Sequence, residues 1–114
     1  MSLWLALHHG ETFGAALVIS PSLGWDDGFA QLDAANAPLR DGARPRLWLD
    51  MGGRETERAL PALRRLCAVL HARGWPADRM VCHEQLDGRH DEASWAARVE
   101  GMLRFLYSTA SPAR

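Results

Sequence analysis

Long hydrophobic runs are missing from this chain. No apolar stretch approaches the roughly 20 residues a membrane-spanning helix needs, and the first residues carry neither the basic region nor the apolar segment of a signal peptide. A soluble protein without a membrane partner is expected. An excess of either charge is missing as well, since 13 basic against 14 acidic residues leave a net charge of -1. With no basic face to neutralise phosphates, nucleic acid is not an expected partner. Cysteine is scarce: Cys67 and Cys82 are the only two, both in apolar runs and not in a CxxC pair. That suits reduced thiols in a cytoplasmic interior and leaves a disulfide between them open. The five histidines offer no HxxxH or HxH pair, and the adjacent His8 and His9 diverge on a helix, so neither a metal nor a cofactor is expected. No internal repeat is evident.

What is present fits a single domain. A chain of 114 residues, 47% of them hydrophobic, can bury a real but modest core and leaves no room for a second domain. Leu3 to His9 (LWLALHH) reads as the end of a helix capped by Gly10. Phe13 to Ile19 (FGAALVI), ending in Ser20-Pro21-Ser22, has the nearly unbroken apolar pattern of a parallel strand buried on both faces, predicted over Ala15 to Ser20. Asp26 or Asp27 can cap a short helix carrying Phe29, Ala30 and Leu32, before a long loop marked by Pro38, Gly42 and Pro45 that is expected to lie over the site. A second strand, Arg46 to Asp50, breaks at Gly52-Gly53. The helix after it shows Leu60, Leu63, Leu66, Cys67 and Leu70 on one face, with Pro61 tolerable only in its first turn and Gly74 ending it. A third strand spans Arg79 to Glu84, and a last helix carries Trp95, Val99, Met102, Leu103 and Leu106 on its apolar stripe, with residues 108–114 frayed. Alternating strands and helices mean βαβ crossovers, hence a three-layer α/β/α arrangement around a short parallel sheet.

Ligands of such sheets gather outside the carboxyl ends of the strands. The loops after the second and third strands both emerge there, so Glu55 and His90 can converge. His90, on the LDGRHDEASW stretch between a strand and a helix, is the first candidate for chemistry; Trp25, in a loop leaving the same edge, is the tryptophan expected to touch a ligand. Trp48 and Trp95 read as core, and Arg58, Arg64, Arg65 and Arg73 as a solvated helix face. Taken without further context, His90 also reads as a solvated loop histidine and Glu55 as a residue favouring a helix N-terminus.

Three segments, FGAALVISPSLGWDD, RLWLDMGGRE and GRHDEASWAARVEGMLRFLY, resemble in order and spacing the C-terminal half of the esterase family related to esterase D and the enterochelin esterases. The resemblance covers Leu3 to Tyr107 and implies a partial α/β-hydrolase fold of the serine type, acting on small-molecule esters. It places the catalytic histidine on His90 and the acid on Glu55, which closes the turn from Gly52 to Glu55; Asp50 is the reserve for the acid. The chain departs from the family in one respect: the nucleophile elbow G-x-S-x-G is absent, and no serine lies between two glycines at that spacing. Ser20, flanked by Ile19 and Pro21, is held as a reserve nucleophile although it reads first as a turn former.

The expectation is therefore the acid-and-base portion of an esterase, inactive without a Ser-bearing N-terminal half that is missing from these residues. Two other functions stay open: a non-enzymatic, self-associating module derived from a hydrolase, and a weak hydrolase using water or Ser20. With no nucleophile strand beside it, the strand Ala15 to Ile19 is expected to expose an edge and to draw the chain into a homodimer or larger homo-oligomer.

Overall fold

The computed structural model describes residues 1–24, 28–40, 42 and 44–108. Trp25, the expected caps Asp26 and Asp27, and residues 109–114 of the tail lie outside them. In chain order the elements are α1 (Ser2–His8), β1 (Ala15–Ile19), α2 (Phe29–Asn36), β2 (Arg46–Gly52), α3 (Ala59–Ala72), β3 (Met80–Gln85) and α4 (Glu92–Tyr107). The strands form a three-stranded parallel sheet in the order β1-β2-β3. Its register aligns Val18 with Leu49 and Leu49 with Cys82, and places Ile19 beside Asp50 and Asp50 beside His83. The α/β class and the parallel sheet expected from the alternation of elements are both present.

Strand β2 explains why helices lie on both faces. Side chains alternate along a strand: Leu47, Leu49 and Met51 join a core with α1 and α3, while Trp48 and Asp50 point to the opposite face. On that second face α4 packs, with Gly101 against the Trp48 indole and Arg98 on Asp50. The main core is built from Leu3, Leu7, Leu47, Leu49, Leu63, Leu66 and Leu70, all nearly or fully buried. Burying each large aliphatic side chain contributes about 1.5–3 kcal/mol relative to leaving it exposed.

Helix α3 is the best formed. Pro61 falls in its first turn, where its missing N–H costs nothing. At the other end Gly74, at φ +96°, takes the left-handed position, its N–H bonded to the carbonyl of His71 and that of Trp75 to Leu70. These two bonds are a Schellman closure.

Several expectations are corrected. Helix α1 ends on His9 at φ -134°, and Gly10 is not among the left-handed glycines. Strand β1 is not buried on both faces: Ala16 and Val18 are buried, but Leu17 is half-buried and Ile19 is 39% exposed, because β1 is an edge with α1 on one face and little of α4 on the other. Strand β2 runs two residues further than Asp50, to Gly52. In α4 the expected stripe is rotated: Val99 and Leu103 are exposed, and the buried residues are Arg98 and Met102. Of the loop before β2, Arg44 and Pro45 lie at the amino ends of the strands and not over the site, Pro45 accepting the Trp75 indole N–H and Arg44 capping the carbonyl of Arg73. Instead of reduced thiols, Cys67 and Cys82 form a disulfide, since α3 over β3 brings their Cα atoms to 6.6 Å. The cysteines thus lend no support to a cytoplasmic setting. Among the described residues no helix is long and apolar enough to cross a membrane.

Candidate active site

All three strands end at one rim, with Ser20, Gly52 and Gln85 at or just after their carboxyl ends. The β2 and β3 turns are laced together there by backbone, Gly53 N–H donating to Gln85 and Arg54 N–H to Gly88 at 2.8 and 2.9 Å. The approach is so close that a Cβ on Gly52 would lie against the carbonyl of Gly88 and 2.9 Å from Glu55 Oε1. Glycine at position 52 is what lets the acid-bearing turn touch the histidine-bearing turn.

Glu55 and His90 meet across this junction. His90 Nδ1 lies 2.9 Å from Glu55 Oε2. The carboxylate can only accept, so the imidazole donates from Nδ1. Glu55 Oε1 accepts the Ser20 hydroxyl at 2.5 Å and the Gly52 N–H at 2.8 Å. Burial pushes the Glu55 carboxyl up, but the hydrogen bonds from Ser20, His90 and Gly52 outweigh it and hold Glu55 below the usual glutamate range. Its side chain is 6% exposed whereas that of His90 is 60% exposed. The acid is therefore sheltered and the imidazole open to a ligand. His90 also meets the Trp95 ring edge-on, with centroids 5.1 Å apart, which restrains the imidazole plane. Asp91, next to it, caps α4 by accepting the Ser94 N–H, so the histidine is anchored to a helix start.

Beneath the pair lies a buried polar cluster. Arg98 Nη1 is 2.8 Å from Asp50 Oδ1 and Arg98 Nη2 is 3.2 Å from Ser20 Oγ. Asp50, fully buried, also accepts the Ser20 N–H and the Trp48 indole N–H. Asp50, the reserve acid, is thus committed to Arg98, Trp48 and the Ser20 backbone. Ser20, the reserve nucleophile, donates its hydroxyl to Glu55 Oε1, while His90 bonds the other oxygen, Oε2. Trp25 lies outside the described residues. Trp95, read from sequence as core, is half-buried and joins the site by donating to Ser20 Oγ at 3.3 Å.

A cleft of about 1270 Å³ opens at this rim, bounded by Ser20, Leu23, Leu32, Met51, Ala62 and His90 among others. Arg58 and Arg65 of the expected solvated face also line it; Arg64 instead pairs with Glu84, and Arg73 donates to the carbonyls of Ala34 and Ala37. The remaining histidines are dispersed: His8 bonds Asp33, His9 pairs with Glu11, His71 meets the Trp75 carbonyl and His83 packs on Trp48. Arg98 is the residue the sequence reading missed. Its signal was an arginine at i+3 from Trp95 and i-4 from Met102, on the face of α4 that turns toward the sheet. A carboxylate in the strand run RLWLD was the matching signal, because a buried charge needs a partner.

The arrangement can hold a neutral imidazole with its proton on Nδ1 and present Nε2 as a base, which among the described residues has no hydrogen-bond partner. Compared with sequence-family models, with curated proteins and with solved structures, the chain matches none.

Proposed function

We propose that Glu55 and His90 are the acid and the base of a serine-type ester hydrolase whose nucleophile is carried on a segment outside these 114 residues. The observation that carries this reading is the Glu55–His90 hydrogen bond at the rim of a parallel sheet, with the carboxylate sheltered and the imidazole exposed on a cleft. Glu55 accepts the hydrogen bond from Nδ1–H, without taking its proton, and stabilises the imidazolium that forms when Nε2 takes a proton from an attacking hydroxyl; that proton on Nε2 is later delivered to the leaving alcohol. The chain order, acid before base, and the position of both on loops after successive strands agree with an α/β-hydrolase. The Ser20 hydroxyl donates to Glu55 and not to His90, so hydrolysis by these residues alone is not expected. Loss of the nucleophile alone lowers turnover on the order of a millionfold in a serine protease.

The test joins the chain behind a Ser-bearing α/β-hydrolase N-terminal half and follows p-nitrophenyl acetate hydrolysis and fluorophosphonate labelling. The joined protein is expected to label on the supplied serine, and His90→Ala to lower turnover by about four orders of magnitude or more, while the chain alone stays at the His90→Ala level. A joined enzyme indifferent to His90→Ala, or one never labelled, sinks the reading.

A second reading is favoured by the sheet edge. Among the described residues strand β1 pairs with β2 alone, and Trp4, Phe13 and Ile19 at or beside it are each about two-fifths exposed. An unpaired edge flanked by apolar side chains promotes strand addition, which supports a self-associating module built on the same domain.

A further inference from the structure

We infer that Ser20 and Arg98 are positioning residues that fix Glu55 so that His90 keeps its proton on Nδ1 and its lone pair on Nε2. The inference rests on the reading of Glu55 and His90 as acid and base, and it assigns roles to two residues outside that pair.

The valence of one hydroxyl carries it. A serine hydroxyl has one proton to donate and two lone pairs with which to accept. Arg98 Nη2 at 3.2 Å and Trp95 Nε1 at 3.3 Å both point at Ser20 Oγ, and neither nitrogen can accept. Both lone pairs are engaged, so the single proton goes to Glu55 Oε1. That oxygen, bonded also by the Gly52 N–H, is saturated, and Oε2 is left to His90. A hydroxyl with its proton on the acid and its lone pairs on two donors is not placed to attack a carbonyl carbon. Ser20 acts on Glu55 instead.

The distribution of charge agrees. Arg98 sits 2.8 Å from Asp50 but 3.9 Å from Glu55, so Asp50 is its main counter-ion and the negative charge of Glu55 remains for the imidazole. Asp50 in turn is held by the Ser20 N–H and the Trp48 indole, and aims the guanidinium fork. Ser20 itself stands at φ +43°, the left-handed region that glycine occupies more easily. A serine in that conformation is accounted for by what its hydroxyl does.

The test reads the ring nitrogens of His90 in the ¹⁵N-labelled chain by long-range ¹H–¹⁵N correlation, at a pH above the usual histidine range. The wild-type protein is expected to show the Nδ1–H form. Ser20→Gly suits the left-handed backbone and removes only the hydroxyl; loss of the Nδ1–H signature into a mixture with Nε2–H is expected, under an otherwise native amide spectrum. Arg98→Lys keeps a cation for Asp50 but lacks the fork that also reaches Ser20, and the same loss is expected. An unchanged Nδ1–H signature in Ser20→Gly overturns the inference, and an unchanged one in Arg98→Lys removes Arg98 from it. Glu55→Ala, which removes the acceptor altogether, separates the two proposals: it loses the signature if Glu55 is the partner of His90, and if it keeps the signature the acid–base pair itself fails.

Discussion

At the scale of single residues, Glu55 concentrates most of what distinguishes this rim from an ordinary turn. Three donors converge on a carboxylate whose side chain is 6% exposed, and together they depress its pKa despite its burial. Because the folded value lies below the unfolded one, roughly 4.3, the stability Glu55 contributes is complete above that pH and is lost as pH falls through the depressed folded value. Urea unfolding followed from neutral pH into the acid range should therefore show a limb of falling stability that Glu55→Gln flattens; an acid limb identical in the two proteins contradicts the hydrogen-bonded carboxylate. The meeting of Glu55 and His90 is legible in the sequence, since loops following successive parallel strands must emerge at one edge. The role of Arg98 is not, because a helix periodicity that counts only apolar residues assigns an arginine to solvent. The buried Asp50 opposite turns that assignment over.

At the scale of elements, the clearest agreement is α3, whose apolar spacing, first-turn proline and terminal glycine all point the same way and all hold. Gly74→Ala forces a Cβ into the left-handed region and to 3.3 Å from Arg44 Nη2. The expected loss is about 1–2 kcal/mol, measurable as a shift of the urea midpoint at constant slope; no loss would mean the helix end closes differently. Helix α4 is the contrary case. Val99 and Leu103 share an apolar spacing with Met102, yet the helix turns Arg98 and Met102 inward because the sheet offers it Asp50 and Trp48, a carboxylate and an indole. A partner's polar demand here outweighs the helix's own hydrophobic stripe. Strand β1 errs in the other direction: a continuous apolar run cannot reveal whether the neighbouring strand and covering helix that would bury both its faces belong to the same chain.

At the scale of the whole molecule, a three-stranded sheet leaves two edges and only a modest core. Self-association through β1 is the expected outcome, with light-scattering chromatography at micromolar concentration giving at least twice the 12.6 kDa chain mass. Ile19→Lys, which puts a charge on the exposed end of that edge, is expected to shift the protein toward monomer; a sharp monomer peak for the unaltered chain rejects strand pairing as the mode of association. The Cys67–Cys82 link belongs to this scale too, because two cysteines 15 residues apart come together only when α3 folds back over β3.

The order of strands and helices, the parallel sheet and the meeting of Glu55 with His90 were determined by the sequence itself, because hydrophobic period, glycine breaks and the direction of parallel strands leave little else for these segments to do. Which face α4 buries, the pairing of Asp50 with Arg98, the fate of the cysteines and the direction in which the Ser20 hydroxyl donates were decided only by tertiary structure. Each of these depends on what a distant segment brings within hydrogen-bonding reach, and periodicity along one segment carries no record of that.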